Sequence, residues 1–223
     1  MMDDSSSTTH RRGFLGKVAA ASLALGIGGM LPDRLDAAAQ AMSPELEKWP
    51  DAHGKHRQVY DAVSWNNAFS LIWAMIFLDT NKQSSNLADS DLNAVVVMRH
   101  EAIPLAFTDP IWKKYKLGEA FKINDPATKA PAERNPYYHA KEGELMFPGM
   151  SIDMLMQRGV MFGCCNIALT ITSGQRAEAI GVDKAAAKQE WTAGLIPGFT
   201  LLPSGVWGVN RAQEHGCSYC YAS

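Results

Sequence analysis

A regular alternation of strand-like and helix-like segments constrains the fold of this 223-residue chain more than any other feature. Leu92–Met98 contains three consecutive valines and has the composition of a central strand that is buried on both faces. Residues 56–61, 160–164, 199–202 and 217–221 are the other predicted strands. Helical segments lie between them, as expected of βαβ units. The sequence therefore predicts an α/β fold with a mainly parallel sheet that helices cover on both faces.

Residues that favour helix ends support this alternation. Asp109 followed by Pro110 begins one predicted helix, and Ser204 precedes the last one. Gly181 ends the helix that follows the third strand. The polar, proline-rich residues 124–148 are predicted to form a long loop.

The N-terminal segment is predicted to be an export signal that is separate from this domain. Arg11 and Arg12 precede an apolar pair, which is the twin-arginine arrangement, and an uncharged run over residues 18–31 follows. Ala39-Gln40-Ala41 fits the small-residue pattern of a signal-peptidase site. The apolar run is short for a bilayer span, and a retained N-terminal anchor is the alternative.

These signals predict three regions. We expect residues 1–41 to be a twin-arginine signal peptide that is cleaved, residues 42–54 to be a linker, and residues 55–223 to be the α/β domain. The expected location is the periplasm, with the membrane involved only through the export signal.

Size and charge limit the class of protein. About 180 residues after the signal are enough for one domain with a single core. The chain has 21 basic and 23 acidic residues and a net charge of -2, so nucleic acid is not an expected partner. We find no phosphate-binding loop, carboxylate pair or serine triad pattern, which disfavours ordinary nucleotide and hydrolase chemistry.

Four cysteines are the main candidates for chemistry. Cys164 and Cys165 lie where the third strand meets its helix, and a helix N-terminus stabilises a thiolate. The alternative is that both are small buried residues or a vicinal disulfide. Cys217 and Cys220 have the C-x-x-C spacing of redox and metal sites, although residues three apart on a strand point to opposite faces.

Histidine, arginine and glutamate residues are further candidates for a metal or ligand site. Four cysteine thiolates, or three with His215, could ligate a metal if the fold brought them together. Arg99, His100 and Glu101 follow a central strand at the edge where open α/β sheets place ligands, although such a cluster also suits a solvated loop. The sequence does not identify a cofactor: the alternatives are none and a metal held by cysteines.

Three segments resemble the DsrE/DsrF-like superfamily. Residues 160–169 resemble its strand–cysteine–asparagine–helix passage, residues 201–207 resemble its strand-to-helix turn, and residues 211–219 resemble its closing strand. The sequence departs from the family pattern at Cys217 and Cys220. The resemblance implies a three-layer α/β sandwich and a homo-oligomer, as a trimer or hexamer. Its partner would be a small sulfur species or a redox partner protein.

The resemblance also implies a site. Some family members carry sulfur as a cysteine persulfide at the junction of the central strand and its helix, which here places Asn166 beside the cysteine. The Cys-x-Asn spacing of the family selects Cys164, whereas Cys165 lies closer to the helix start, so both are candidates.

The sequence therefore supports two hypotheses about function. The first is an exported thiol protein that handles sulfane sulfur or electrons through Cys164 or Cys165, with Cys217 and Cys220 as a resolving disulfide or second relay. The second is a metal- or cofactor-binding protein without turnover, or an accessory subunit stabilised by disulfides. Whether the protein is an enzyme is left open.

The intact mass of protein recovered from cells tests the export prediction. Cleavage after Ala41 should leave a chain that begins at Met42, because signal peptidase cuts after small residues. Retention of residues 1–41 in the recovered chain would instead support the N-terminal anchor.

Overall fold

A computed structural model describes residues 44–223, which are built around one parallel β-sheet. The strands are β1 (His56–Ala62), β2 (Leu92–Met98), β3 (Met161–Cys165), β4 (Thr200–Leu202) and β5 (Ser218–Tyr221). Their order across the sheet is β4-β3-β2-β1-β5, and every neighbouring pair is parallel. The predicted α/β three-layer sandwich is confirmed.

The helices alternate with the strands as predicted, and one further helix, α1, lies in the segment that was predicted to be a linker. They are α1 (Pro44–Lys48), α2 (Phe69–Ser85), α3 (Asp109–Tyr115), α4 (Leu117–Phe121), α5 (Ile152–Gln157), α6 (Asn166–Ile180), α7 (Lys184–Ala193) and α8 (Gly205–Glu214). Short 3-10 turns cover Asn66–Ala68, Asp89–Asp91 and His100–Ala106. The segment predicted as one helix after Asp109 is divided into α3 and α4 at Lys116, whose φ is 51°.

Alternate residues of the strands supply two separate core layers, one on each face of the sheet. On β2, Val96 packs with Tyr60 and Leu71 of α2, whereas its neighbours Val95 and Val97 lie in the opposite layer. Both sides of this strand are buried, which explains its continuous apolar sequence.

The handedness of the connections decides which helices cover which face. The chain adds β2, β3 and β4 in one direction across the sheet and then returns from β4 to the far side of β1 as β5. Because such connections are right-handed, reversing the direction moves the connecting helix to the opposite face. Accordingly, Ala212 of α8 packs with Val59 and Val95, while Leu169 of α6 lies in the other layer.

The chain before β1 also contributes to the core. Trp49, which follows α1, is 7% exposed and stacks on Trp207 of α8, with ring centroids 6.5 Å apart. Ala52 lies in the same layer. The domain therefore begins before residue 55, because part of the segment that we predicted to be a linker is buried in it.

The predicted signal and its cleavage site lie outside the described residues. Among residues 44–223, no helix combines the length and the apolar composition that crossing a membrane requires.

Substitution of Gly118 tests the close packing of α4 against the backbone of Ala132. A Cβ at Gly118 would meet the backbone N, Cα and O atoms of Ala132, which cannot move as a side chain can. Gly118→Ala should therefore lower the free energy of unfolding by about 1–3 kcal/mol. Denaturant unfolding measures this change.

Gly174→Ala provides the matched control. Gly174 lies within α6, and a Cβ added there would meet only Cδ of Lys184, the first residue of α7, at 3.9 Å. This substitution should raise stability by about 0.5–1 kcal/mol because alanine loses less backbone entropy in a helix. Equal effects at the two glycines would contradict the close approach of α4 to Ala132.

Candidate functional site

The carboxyl edge of the sheet has a crevice between β3 and β4. The helix after β3, α6, packs on one face, and the helix after β4, α8, packs on the other. Adjacent strands whose connections leave on opposite faces form a switch point, where open α/β sheets bind ligands. A cavity of about 760 Å³ lies here. Its wall includes Trp65, Arg99, His100, Glu101, Phe121, Lys122, Cys165, Ile167, Ala168, Ile171, Arg176, Ser204, Gly205 and Val206.

Cys165 is both the last residue of β3 and the N-cap of α6. Its Sγ accepts a hydrogen bond from the backbone N–H of Ala168 at 3.3 Å, a role that serine or aspartate usually fills. The residue is 6% exposed and lines the cavity. Its sulfur is therefore held at the positive end of a 15-residue helix.

Cys164 has a different environment. It is fully buried in the core layer that contains Phe162, because residues two apart on a strand share a face. Burial, and to a smaller degree the neighbouring Cys165, raise the pKa of Cys164 well above the usual thiol value. Of the two predicted sulfur-carrying candidates, the structure brings Cys165 to the cavity and not Cys164.

Arg99 supplies a positive charge to the cavity wall and is held by a buried carboxylate. Its Nε and Nη2 donate to the two carboxylate oxygens of Asp61, at 2.7 and 2.9 Å. The side chain of Asp61 is 5% exposed, and Tyr219 donates its hydroxyl to Oδ2 at 3.0 Å. The hydrogen bonds to Asp61 raise the pKa of Arg99; partial burial opposes this rise, and the negative charge of Asp61 adds to it.

Gly205 lets Arg99 reach this position. A Cβ at Gly205, the first residue of α8, would lie 2.7 Å from both Cβ and Cδ of Arg99. Any larger residue at 205 would therefore push the arginine side chain away from the helix. The start of α8 is capped by Ser204, whose Oγ accepts from the N–H of Trp207 at 3.1 Å.

His100 and Glu101 form an exposed part of the same wall. His100 has a φ of 50°, in the left-handed region that residues with a Cβ seldom adopt. The structure thus places all three predicted residues after β2 at the cavity. Asn166 begins α6 beside Cys165, but it does not line the cavity, and its buried Oδ1 has no hydrogen-bond partner among residues 44–223.

Cys217 and Cys220 do not form the predicted pair. Cys217 packs with Val59 on one face of the sheet, and Cys220 packs on the opposite face. In an extended chain, the Cα atoms of residues three positions apart are about 10 Å apart, which is too far for a direct disulfide between Cys217 and Cys220. β2 and β1 separate β3 from β5, so Cys220 is about 14 Å across the sheet from Cys164.

The predicted metal site is also not formed. His215 follows the far end of α8, about 15 Å from Ser204 along a ten-residue helix, and its Nε2 lies 3.3 Å from Nη2 of Arg211. Within residues 44–223, no three histidine, cysteine, aspartate or glutamate side chains are close enough to hold a metal ion. The sheet keeps Cys164 and Cys165 apart from Cys217, Cys220 and His215.

Sequence reasoning missed Asp61, Lys122, Arg176 and Gly205. Asp61 follows Val59 and Tyr60 in the apolar second half of β1, which was a signal for it, because a buried carboxylate needs a cationic partner. Lys122 and Arg176 reach the wall from α4 and α6 through tertiary packing, and no local pattern marks them.

Comparisons with known proteins give little further information. No family model and no curated protein matches this chain. Among solved structures, the chain is similar to a protein of unknown function from Methanobacterium thermoautotrophicum. The sequence identity is 15%, the TM-score is 0.39, and the similarity covers 75% of this chain and 99% of that chain. The functional conclusion therefore depends on the geometry of the site.

Alkylation of the native protein tests the assignment of Cys165. Iodoacetamide at neutral pH should modify Cys165 first, because Cys164 is sealed in the core and burial raises the pKa values of Cys164, Cys217 and Cys220. Peptide mass mapping identifies the modified residue.

Single variants make this test specific. Cys164→Ser should keep the fast modification and Cys165→Ser should lose it. Fast modification of the Cys165→Ser protein at Cys164 would contradict the assignment.

Proposed function

We propose that this protein carries sulfane sulfur on Cys165 as a persulfide. The observation that supports this function is the position of Cys165: of the four cysteines, all within residues 44–223, it alone lines the cavity. It does so at the N-terminus of α6, in a wall that also contains Arg99, and the helix end and the guanidinium are two sources of positive potential in the cavity.

The chemical step needs one thiolate and a donor that contains sulfane sulfur. With a polysulfide donor, the Cys165 thiolate attacks a sulfur atom of the chain and forms a new S–S bond. One S–S bond of the donor breaks, and the shortened polysulfide leaves with the electron pair. The product is a persulfide anion on Cys165, which the same N–H groups and guanidinium stabilise.

A single-thiol carrier fits the site better than a dithiol redox protein. A redox cycle needs a second thiol that can reach Cys165 and form a disulfide. Cys164 is buried on the core side of β3, and Cys217 and Cys220 lie across the sheet and on opposite faces. Sulfur relay requires no such partner within the chain.

The sequence supports two further parts of this proposal. The twin-arginine signal is the basis for placing the activity in the periplasm, and the resemblance to the DsrE/DsrF-like superfamily is the basis for a homo-oligomer. The acceptor would then be a partner protein or a small thiol outside the cytoplasm.

Loading with inorganic polysulfide tests the function. After removal of excess donor, the protein should gain about 32 Da for each sulfur atom, and cyanide should release it as thiocyanate. Cys165→Ser should abolish the gain because the attacking thiolate is lost. Reduction should restore the original mass.

Cys164→Ser is the matched control, since it removes an adjacent thiol that does not line the cavity. It should load to the level of the unaltered protein. Undiminished loading of Cys165→Ser, or no loading of the unaltered protein, would overturn the proposed function.

A further inference from the structure

The charges in the cavity wall are unbalanced. Arg99, Lys122 and Arg176 line it, whereas Glu101 is the one carboxylate among its lining residues. Asp61 lies behind Arg99 and occupies Nε and Nη2, which leaves Nη1 outside that pair. Arg176 is fixed by donating Nε to the carbonyl oxygen of Tyr115 at 3.0 Å. The cavity is therefore cationic although the whole chain has a net charge of -2.

Two helices add to this positive potential. The wall includes Cys165, Ile167 and Ala168 from the start of α6, and Gly205 and Val206 from the start of α8. The caps Cys165 and Ser204 accept from the N–H groups of Ala168 and Trp207, and the other N–H groups of the first turns have no acceptor within the helix and attract anions. Here the two N-terminal ends line one cavity, together with the Arg99 side chain and the Cys165 sulfur.

From this arrangement we infer that the sulfur donor of Cys165 is an anion in which the sulfane sulfur is bonded to an oxidised, oxygen-bearing sulfur. Thiosulfate and organic thiosulfonates share this chemistry. The oxyanion end contacts Arg99 and the N–H groups of α6 and α8, and the sulfane sulfur faces Sγ. This inference rests on the proposed function, since it names the donor for the same thiol.

The reaction balances without any further reactant. The Cys165 thiolate attacks the sulfane sulfur, and a new S–S bond forms. The bond between the sulfane sulfur and the oxidised sulfur breaks, and sulfite leaves thiosulfate with the electron pair. A thiosulfonate releases a sulfinate in the same way. The cationic wall stabilises the charge that grows on the leaving oxyanion.

The apolar part of the wall distinguishes the two donors. Ile167, Ile171 and Val206 are 37%, 39% and 66% exposed. A cavity of about 760 Å³ is larger than thiosulfate needs and has room for an organic group against these side chains. We therefore expect faster loading from benzenethiosulfonate than from thiosulfate.

Charged and neutral alkylating reagents measure the anion preference separately from thiol reactivity. Iodoacetate and iodoacetamide both react with the thiolate, so the ratio of their rates at one pH does not depend on how much thiolate is present. The ratio for Cys165 should exceed the ratio for free glutathione by about tenfold, because only iodoacetate is attracted to the cationic wall. Sulfate should slow iodoacetate more than iodoacetamide at matched ionic strength.

Two variants identify the cause of this preference. The double variant Asp61→Asn/Arg99→Gln removes the local cation while leaving the net charge unchanged and no carboxylate buried alone. It should lower the ratio toward that of glutathione. Gly205→Ala, which displaces the Arg99 side chain without removing its charge, should lower the ratio less. Lys113→Gln, an exposed cation outside the cavity, is the control and should leave the ratio unchanged.

The outcomes separate this inference from the proposed function. A ratio equal to that of glutathione and unaffected by the double variant would overturn the anion site, even if polysulfide still loads Cys165. A high ratio with no 32 Da gain from either thiosulfate or benzenethiosulfonate would overturn the choice of donor. Failure of polysulfide loading would instead overturn the proposed function itself. The expected result is a raised ratio, with sulfur loading and an equal release of sulfite or sulfinate.

Discussion

Right-handed crossing between parallel strands is the constraint on which the other features of this structure depend. The chain lays down β1 to β4 in one direction and returns to β5, so α8 must cross the sheet on the face opposite α2 and α6. That crossing creates the second core layer, in which Trp49 and Trp207 stack. It also opens the crevice between β3 and β4, where the N-termini of α6 and α8 line the cavity that contains Cys165.

The buried pair of Asp61 and Arg99 connects this cavity to the rest of the sheet. Asp61 belongs to β1, Arg99 follows β2, and Tyr219 of β5 completes the hydrogen bonding of the carboxylate. An unpaired carboxylate at 5% exposure would be strongly unfavourable, so each partner holds the other in one arrangement. The position of the Arg99 guanidinium in the cavity wall is therefore set by its contacts with Asp61, and the edge strand β5 contributes to it through Tyr219.

Residue patterns predicted the fold more completely than the site. Three local signals predicted their elements correctly. The three valines lie in β2, Ser204 caps the start of α8, and Gly181 ends α6. The loop over residues 124–148 was predicted from its polar composition, yet Asn135 within it is fully buried. Its Nδ2 donates to the carbonyl oxygens of Leu105 and Phe107. These hydrogen bonds join residues about thirty positions apart, so no local sequence pattern could predict them.

The sequence by itself determined the order of strands and helices, the residues that follow β2, and the presence of a cysteine at a strand-to-helix junction. These features depend on local periodicity and on residues that favour helix ends, which are readable over a few positions. Only the tertiary structure decided between Cys164 and Cys165, because both pack in the same core layer and Cys165, at the end of the strand, also lines the cavity. It alone also separated Cys217, Cys220 and His215 from the site, and it brought Asp61, Lys122, Arg176 and Gly205 to it. Those placements depend on how distant segments pack, and that packing is set by the crossing of the whole chain over the sheet.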